Sequence, residues 1–284
     1  MTELSKRIAF AVVAIPVVAG VVWAGGVPLA VLLALVSALA AREFYRLATA
    51  GGIEPLLIHG LVLSALIPIG VHSRYAGSWV PSISVVMLVV LELLAAALLL
   101  RGATRKPLEA VGITILGVLY SGGMLGFAVA LRYHRFALDA TSGALLVAFP
   151  LALTWGTDTG AMLLGRAWGK TKLMPSISPG KTLVGAWGGA AVAVLISVLY
   201  VRFGLAPYAH LTMSVASAAA FGLIVSAAGQ VGDLVESMLK RQAGVKDSSA
   251  LIPGHGGALD RVDSLLFTLP VSFVLLGLLL APTP

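Results

Sequence analysis

Long apolar runs broken by short polar or glycine-bearing stretches recur along the whole chain, and their lengths set the architecture. A helix crossing a bilayer needs roughly 17 to 25 predominantly apolar residues. Nine runs fit that template, near 8–24, 28–45, 56–71, 82–100, 111–131, 143–165, 182–203, 211–239 and 264–281. The pattern predicts an all-α integral membrane protein of about nine transmembrane helices. It forms one membrane-embedded unit over 1–284, in which 143–284 carries the unusual chemistry. The first run follows Lys6 and Arg7 as a signal peptide would. Its end, "WAGGVPLA", is a weak cleavage site, and many spans follow, so it is read as a retained first span.

Composition agrees with the pattern. The chain is 59% hydrophobic and 11% charged, against about a quarter charged in ordinary soluble domains, and its mean hydropathy is +1.01. There is no cysteine, which excludes disulfides, thiolate catalysis and sulfur-ligated metals. The net charge of +7 does not point to nucleic acid, because the basic residues form no long patch. They follow the membrane instead. With nine spans, the N-terminus and the loops after spans 2, 4, 6 and 8 hold fifteen of the nineteen lysines and arginines, while Arg74, Arg132, Arg135 and Arg202 fall on the other side. Such a bias places the N-terminus and those loops in the cytoplasm.

Six of the twelve acidic residues, Asp158, Asp233, Glu236, Asp247, Asp260 and Asp263, lie between 158 and 263. Asp158 precedes Arg166 by eight residues and Asp233 precedes Lys240 by seven. At 1.5 Å per residue each carboxylate sits about 10 Å inside its cytoplasmic helix end. A carboxylate at that depth needs a cavity, a partner or an ion; an aspartate paired with a lysine is the plain structural alternative. Asp233, Glu236, Ser237 and Lys240 share one helix face by spacing.

The stretch "PGHGGALDRVDS" combines glycines that let backbone N–H groups approach a phosphate with a helix start that favours an anion. Asp260 and Asp263, three apart in the first turn, can face one divalent cation, or one can cap the helix. Mg²⁺ takes oxygen ligands and is commonly held by one or two carboxylates with substrate phosphates, so Asp233 and Asp260 are candidate ligands. Lys181, Lys240, Arg241, Lys246 and Arg261 are candidates to neutralise phosphate oxygens. His255 can serve as an acid or base, or simply hold the turn with a hydrogen bond. The loop "GRAWGKTKLMPSISPGKTLVG" contains "GKT" twice, but the glycine a P-loop needs five residues upstream is replaced by Leu164 and Pro175. As a bare basic loop its role is mainly topological.

The segment "SMLKRQAGVKDSSALIPGHGGALDRVDS", 237–264, resembles the signature of the phosphatidate cytidylyltransferases, or CDP-diacylglycerol synthases, over its full length of spacings. "DTGAMLLGRAWGKTKLMPSISPGKTLVG" and "GDLVESMLKR" are similar to neighbouring family segments, and "REFYRL" at 42–47 is the best echo in the N-terminal half. Gly180 stands where many members have lysine and Met162 where tyrosine is common. The resemblance implies an enzyme that joins CTP and phosphatidate into CDP-diacylglycerol and pyrophosphate, depends on Mg²⁺, has a place for a second, monovalent cation such as K⁺, and works as a homodimer. It implies the inner (plasma) membrane of a bacterium, with the site facing the cytoplasm. By position it implies catalytic roles for Asp233, Asp260, Lys240, Arg241, Lys246, Asp247 and Arg261, with Asp233 and Asp260 on the metal. Asp158, Ser178, Lys181, Thr182, Ser237, His255, Gly256, Gly257 and Asp263 then bind substrate. The main rival is a cation-coupled transporter, since buried carboxylates also mark ion pathways; it would have no need of the basic loop and glycine turn on one membrane face.

Overall fold

The computed structural model describes residues 3–249 and 256–283, with the side chains of 3–11 and 13 excepted. Eight helices among the described residues are long and apolar enough to cross a membrane: Gly26–Ala50, Leu57–Tyr75, Ile83–Arg101, Pro107–Arg132, Ala140–Trp168, Leu183–Ala209, Val215–Gln242 and Leu259–Leu279. Each coincides with one of the last eight predicted runs. The first predicted run falls within α1 (Glu3–Ala24). The protein is an all-α membrane protein. Its helices also carry the outward apolar surface that lipid requires: in α4 (Ile83–Arg101) Leu98 and Leu99 are 72% and 83% exposed.

Contacts divide the chain into two compact units, each assembled from separate segments. The first contains 1–21, 26–129 and 239–262. Its core is built on one aromatic residue set against glycines. Tyr45 of α2 (Gly26–Ala50) fills the space that a side chain would take at Gly60 of α3 (Leu57–Tyr75) and at Gly117 of α5 (Pro107–Val118). Small residues at such crossings let membrane helices approach closely. The Tyr45 hydroxyl donates to the Thr114 carbonyl at 2.8 Å, while Thr114 Oγ1 accepts from Leu56 N–H at 2.8 Å. A π-helical turn, Leu119–Gly123, joins α5 to α6 (Met124–Arg132) and brings Gly122 against the Ser64 backbone.

The second unit contains 22–25, 130–238 and 263–284. Its first long helix, α7 (Ala140–Trp168), starts at a reciprocal cap. Asp139 accepts from Ser142 N–H at 2.7 Å, and Ser142 Oγ accepts from Asp139 N–H at 2.9 Å, satisfying donors the first turn leaves open. α7 lies along α8 (Leu183–Tyr200) over a seam of Gly160, Gly185, Gly188 and Gly189, where added Cβ atoms would meet backbone or core side chains of the facing helix. The basic loop between them is more than a bare connection. It folds into an antiparallel hairpin of β1 (Lys172–Met174) and β2 (Ser178–Thr182), and Thr182 then caps α8 by accepting from Gly185 N–H. A short α9 (Ala206–Ala209) leads to α10 (Val215–Gln242), and β3 (Leu211–Thr212) pairs with β4 (Ala281–Pro282). The chain ends in a single turn, α11 (Leu259–Val262), followed by α12 (Leu265–Leu279).

Candidate active site

Within the second unit, a cavity of about 550 Å³ opens between α7, the hairpin, α8 and α10. Asp158, Met162 and Arg166 of α7, Lys172 of β1, Lys181 and Thr182 of β2, and Gln230 and Asp233 of α10 line it. Asp158 and Asp233, predicted at one depth from their distances to the helix ends, therefore reach a common wall. The hairpin supplies the other half of the chemistry: Lys181 Nζ lies 2.6 Å from Asp233 Oδ2. Ser237, one turn on, points its hydroxyl at Asp233 Oδ1 at 3.4 Å. Gln230 is fixed by its amide, which donates to the Ala186 carbonyl at 3.2 Å. A volume of this size suits a nucleotide-sized ligand, and three cations among its lining residues favour an anionic one.

A carboxylate cluster belongs to the same unit. One oxygen each from Asp233, Glu236 and Asp263 lies within 4.8 Å of the others, and Glu236 is fully buried. Three carboxylates so close repel one another strongly in a poorly screened setting. Oxygen-only donors gathered this closely suit, by their chemistry, a hard divalent cation such as Mg²⁺, which takes oxygen ligands. Gly232 lets this happen: a Cβ there would meet the Asp263 carbonyl and the Phe267 ring. Glu236 was not singled out as a ligand in the sequence, although it shares the helix face of Asp233.

Asp260 has a separate environment in the first unit. Its Oδ1 accepts from Lys240 Nζ at 2.7 Å, and Oδ2 accepts from Ser248 N–H at 3.0 Å and Gly257 N–H at 2.8 Å, with Ser248 Oγ at 2.8 Å. The bond from Gly257 N–H to a side chain three residues on closes the turn that leads into α11. Asp260 and Asp263 thus take different partners. The physical reason is the break between α11 and α12, where Asp263 Oδ1 accepts from Ser264 N–H at 2.6 Å. As a metal ligand Asp260 has to release at least the Lys240 ammonium, and Asp233 has to share its carboxylate with Lys181.

The glycines of the signature turn have individual causes. Gly256 takes φ +77°, a left-handed conformation that favours glycine, and a Cβ there would stand 2.7 Å from Asp260 Oδ2. A Cβ on Gly257 would collide with Glu43 Oε2 and Ser248 Oγ. Gly254 and His255 lie outside the described residues, so the alternatives for His255 rest on sequence. Ser178 is half-buried in the hairpin opposite Met174. Arg241, Lys246, Asp247 and Arg261 are exposed, with Arg241 Nη1 3.4 Å from the Val245 carbonyl. Reasoning from sequence missed Arg166 and Lys172 as cavity cations, and it missed Glu43. Glu43 carried a signal of its own, as an acid beside Arg42 within the predicted span 28–45.

Comparison with known proteins adds an independent result. The cytidylyltransferase family model matches residues 5–279. A phosphatidate cytidylyltransferase of Bacillus subtilis is 31% identical over 279 residues, covering 98% of this chain and 99% of the relative. Proteins of the same description from Staphylococcus epidermidis and Staphylococcus saprophyticus are 32% and 33% identical, each over 96% of this chain and 99% of the relative.

Proposed function

As the chain belongs to the cytidylyltransferase family and is a membrane nucleotidyltransferase that forms CDP-diacylglycerol and pyrophosphate from CTP and phosphatidate, we propose how its residues carry that transfer. The observation that bears most weight is the Lys181–Asp233 contact on the wall of a cavity that also holds Arg166 and Lys172. Lys181, Arg166 and Lys172 bind the triphosphate of CTP, and Asp158 and Thr182 shape the same wall. Ser178 and the hairpin backbone hold Lys181 in place, and Ser237 orients Asp233. Asp233, Glu236 and Asp263 are the residues that would hold a divalent cation. When bound, Mg²⁺ supplies charge neutralisation at the phosphate oxygens.

In the reaction a phosphatidate phosphate oxygen attacks the α-phosphorus of CTP. A new P–O bond forms, the α–β anhydride bond breaks, and the electron pair leaves with pyrophosphate. The nucleophile is already an anion at neutral pH, so positioning and charge neutralisation, rather than a strong general base, carry the rate. Lys240, paired with Asp260, binds the lipid phosphate in this reading, while the exposed Arg241, Lys246 and Arg261 attract both substrates from solution and Asp247 borders them. Gly256 and Gly257 hold the turn. The charge bias supports a cytoplasmic site in a bacterial inner membrane; the family resemblance alone supports a homodimer and a monovalent second ion such as K⁺, and carries Asp260 as a second metal ligand. The buried carboxylates are those of a transfer site, and the full-length family match leaves the transporter reading without support.

The test is conversion of labelled CTP and phosphatidate by purified protein. CDP-diacylglycerol should form with Mg²⁺ and stop with chelator or in Asp233→Asn. Lack of product with any phosphatidate would overturn the substrate assignment, and full activity of Asp233→Asn would overturn the site.

A further inference from the structure

Glu43 is an acid inside a membrane-spanning helix, only 3% exposed and seven residues before the end of α2 at Ala50. That separation corresponds to about 10 Å along the helix. A carboxylate so placed is costly unless its lone pairs are all engaged. Here each oxygen has two donors. Oε1 accepts from Ser249 Oγ at 2.6 Å and Ala258 N–H at 3.0 Å; Oε2 accepts from Leu259 N–H at 2.7 Å and has Ser248 Oγ at 2.8 Å. None of these donors is a cation. Among the described residues these donors come from two short segments, 248–249 and 258–259, which the carboxylate ties together.

That stretch is the one that holds Asp260. Ser248 Oγ sits 2.8 Å from Glu43 Oε2 and 2.8 Å from Asp260 Oδ2, so its single hydroxyl proton serves one carboxylate while the oxygen rests against the other. Ser248 N–H and Gly257 N–H hold Asp260 Oδ2, which leaves Oδ1 turned to Lys240. The Ala258 and Leu259 amides gripped by Glu43 immediately precede Asp260 in the chain. A Cβ on Gly257 has no room because Glu43 and Ser248 close on it from outside. We propose that Glu43 is a positioning residue: it acts through Ser248 and the 257–259 backbone to fix the Asp260 carboxylate and its Lys240 partner for the transfer reaction. The proposal rests on the reading above, in which Asp260 and Lys240 belong to the reacting set. It assigns a catalytic consequence to a residue some two hundred positions away in sequence.

The amide of glutamine cannot replace this carboxylate, because its NH₂ would face two of the four donors. In the full-length purified enzyme, Glu43→Gln should therefore lower kcat by about 100-fold, the scale of a misplacement near 1 Å. KM for CTP and for phosphatidate should stay within about threefold of wild type. Ser248→Ala should lower kcat by about tenfold, and the double variant should fall no lower than Glu43→Gln alone, because the two act in series. Hydrogen exchange of the 257–262 amides, measured without substrate, should quicken by about tenfold or more in Glu43→Gln. A kcat within about twofold of wild type, or unchanged exchange, overturns the proposal. So does a lower yield or melting temperature with kcat per folded enzyme retained, which is the mark of a merely structural residue. If Glu43→Gln does not fold, Ser248→Ala decides, with lost kcat supporting the proposal and wild-type kcat overturning it. Failure of the wild-type enzyme to make CDP-diacylglycerol would instead sink the functional reading, while the exchange measurement still reports on the clamp.

Discussion

Lys181 Nζ stands 2.6 Å from Asp233 Oδ2, joining the β-hairpin after α7 to the middle of α10 within one unit. Both side chains are part exposed, at 25% and 32%, so the pair adds little to stability, about 1 kcal/mol at most. Its value lies in chemistry, since it sets a cation and a carboxylate together on the cavity wall. Lys181→Ala should therefore lower kcat/KM for CTP by about 100- to 1,000-fold, as loss of one preorganised charge-stabilising donor does. The melting temperature should hardly move. A large drop in melting temperature with kcat/KM unchanged would show the pair to be structural.

The carboxylates of Asp233, Glu236 and Asp263 predict opposite effects with and without the ion. Loss of a supporting partner alone costs about 10- to 100-fold in metal affinity, so Asp263→Asn should raise the Mg²⁺ concentration for half-maximal activity by at least about tenfold. In chelator the sign reverses. Removing one of three crowded negative charges relieves repulsion, so the variant should melt no lower than wild type there, while Mg²⁺ should stabilise wild type more than the variant. Titration of activity and of thermal unfolding with Mg²⁺ reads both. Equal stabilisation of the two proteins by Mg²⁺ would move the ion elsewhere.

Eight of the spans were legible because apolar length is a local property, and the break residues, such as Pro107 at the start of α5 and the Asp139–Ser142 cap of α7, are local too. The common depth of Asp158 and Asp233 could be read by counting to the next basic residue. Partner choice could not. That Asp260 turns to Lys240 and Ser248 while Asp263 joins Asp233 goes with the break between α11, ending at Val262, and α12, beginning at Leu265, which periodicity does not register. The hairpin was hidden because "KTKLMPSISPGKT" has too few apolar positions to show alternation. The partners of Glu43 were hidden because its four donors lie more than two hundred residues away.

Gly256 and Gly257 should both matter to Asp260, by different routes. Gly256→Ala forces an L side chain into φ +77° and directly against Asp260, a strain of about 1 to 3 kcal/mol that should lower the melting temperature and kcat together. Gly257→Ala drives its methyl into Glu43 and Ser248; overpacking of this kind costs about 1 to 3 kcal/mol and should depress kcat through the partners that hold Asp260. Thermal unfolding and kcat are measured on the same preparations. Wild-type kcat in folded Gly257→Ala would contradict the packing described for the turn.

Thr114 is a buried relay within the first unit, accepting from Leu56 N–H and donating to the Ala110 carbonyl at 2.7 Å. Thr114→Val keeps the shape and leaves the Leu56 amide without its acceptor. The cost should be about 1 to 3 kcal/mol, seen as a lower melting temperature. KM and kcat of the folded enzyme should stay at wild-type values, and a catalytic defect would show that the site depends on this core.

The side of the membrane can be tested cleanly because the chain has no cysteine, so a single introduced thiol is the only one available to a maleimide. Thr104, after α4, and Ser78, after α3, are both exposed, and neither belongs to the candidate site. The charge bias puts the loop with Arg101, Arg105 and Lys106 in the cytoplasm and the loop after Arg74 on the other side. In intact cells with a permeable outer boundary, a membrane-impermeant maleimide should label Ser78→Cys and spare Thr104→Cys. After lysis both should label. The reverse pattern would turn the protein over, placing the Lys181 hairpin away from cytoplasmic CTP, and would be incompatible with the proposed direction of substrate access. Labelling of both thiols in intact cells would show that α4 does not span, and with it the alternation that assigns every later loop would be lost.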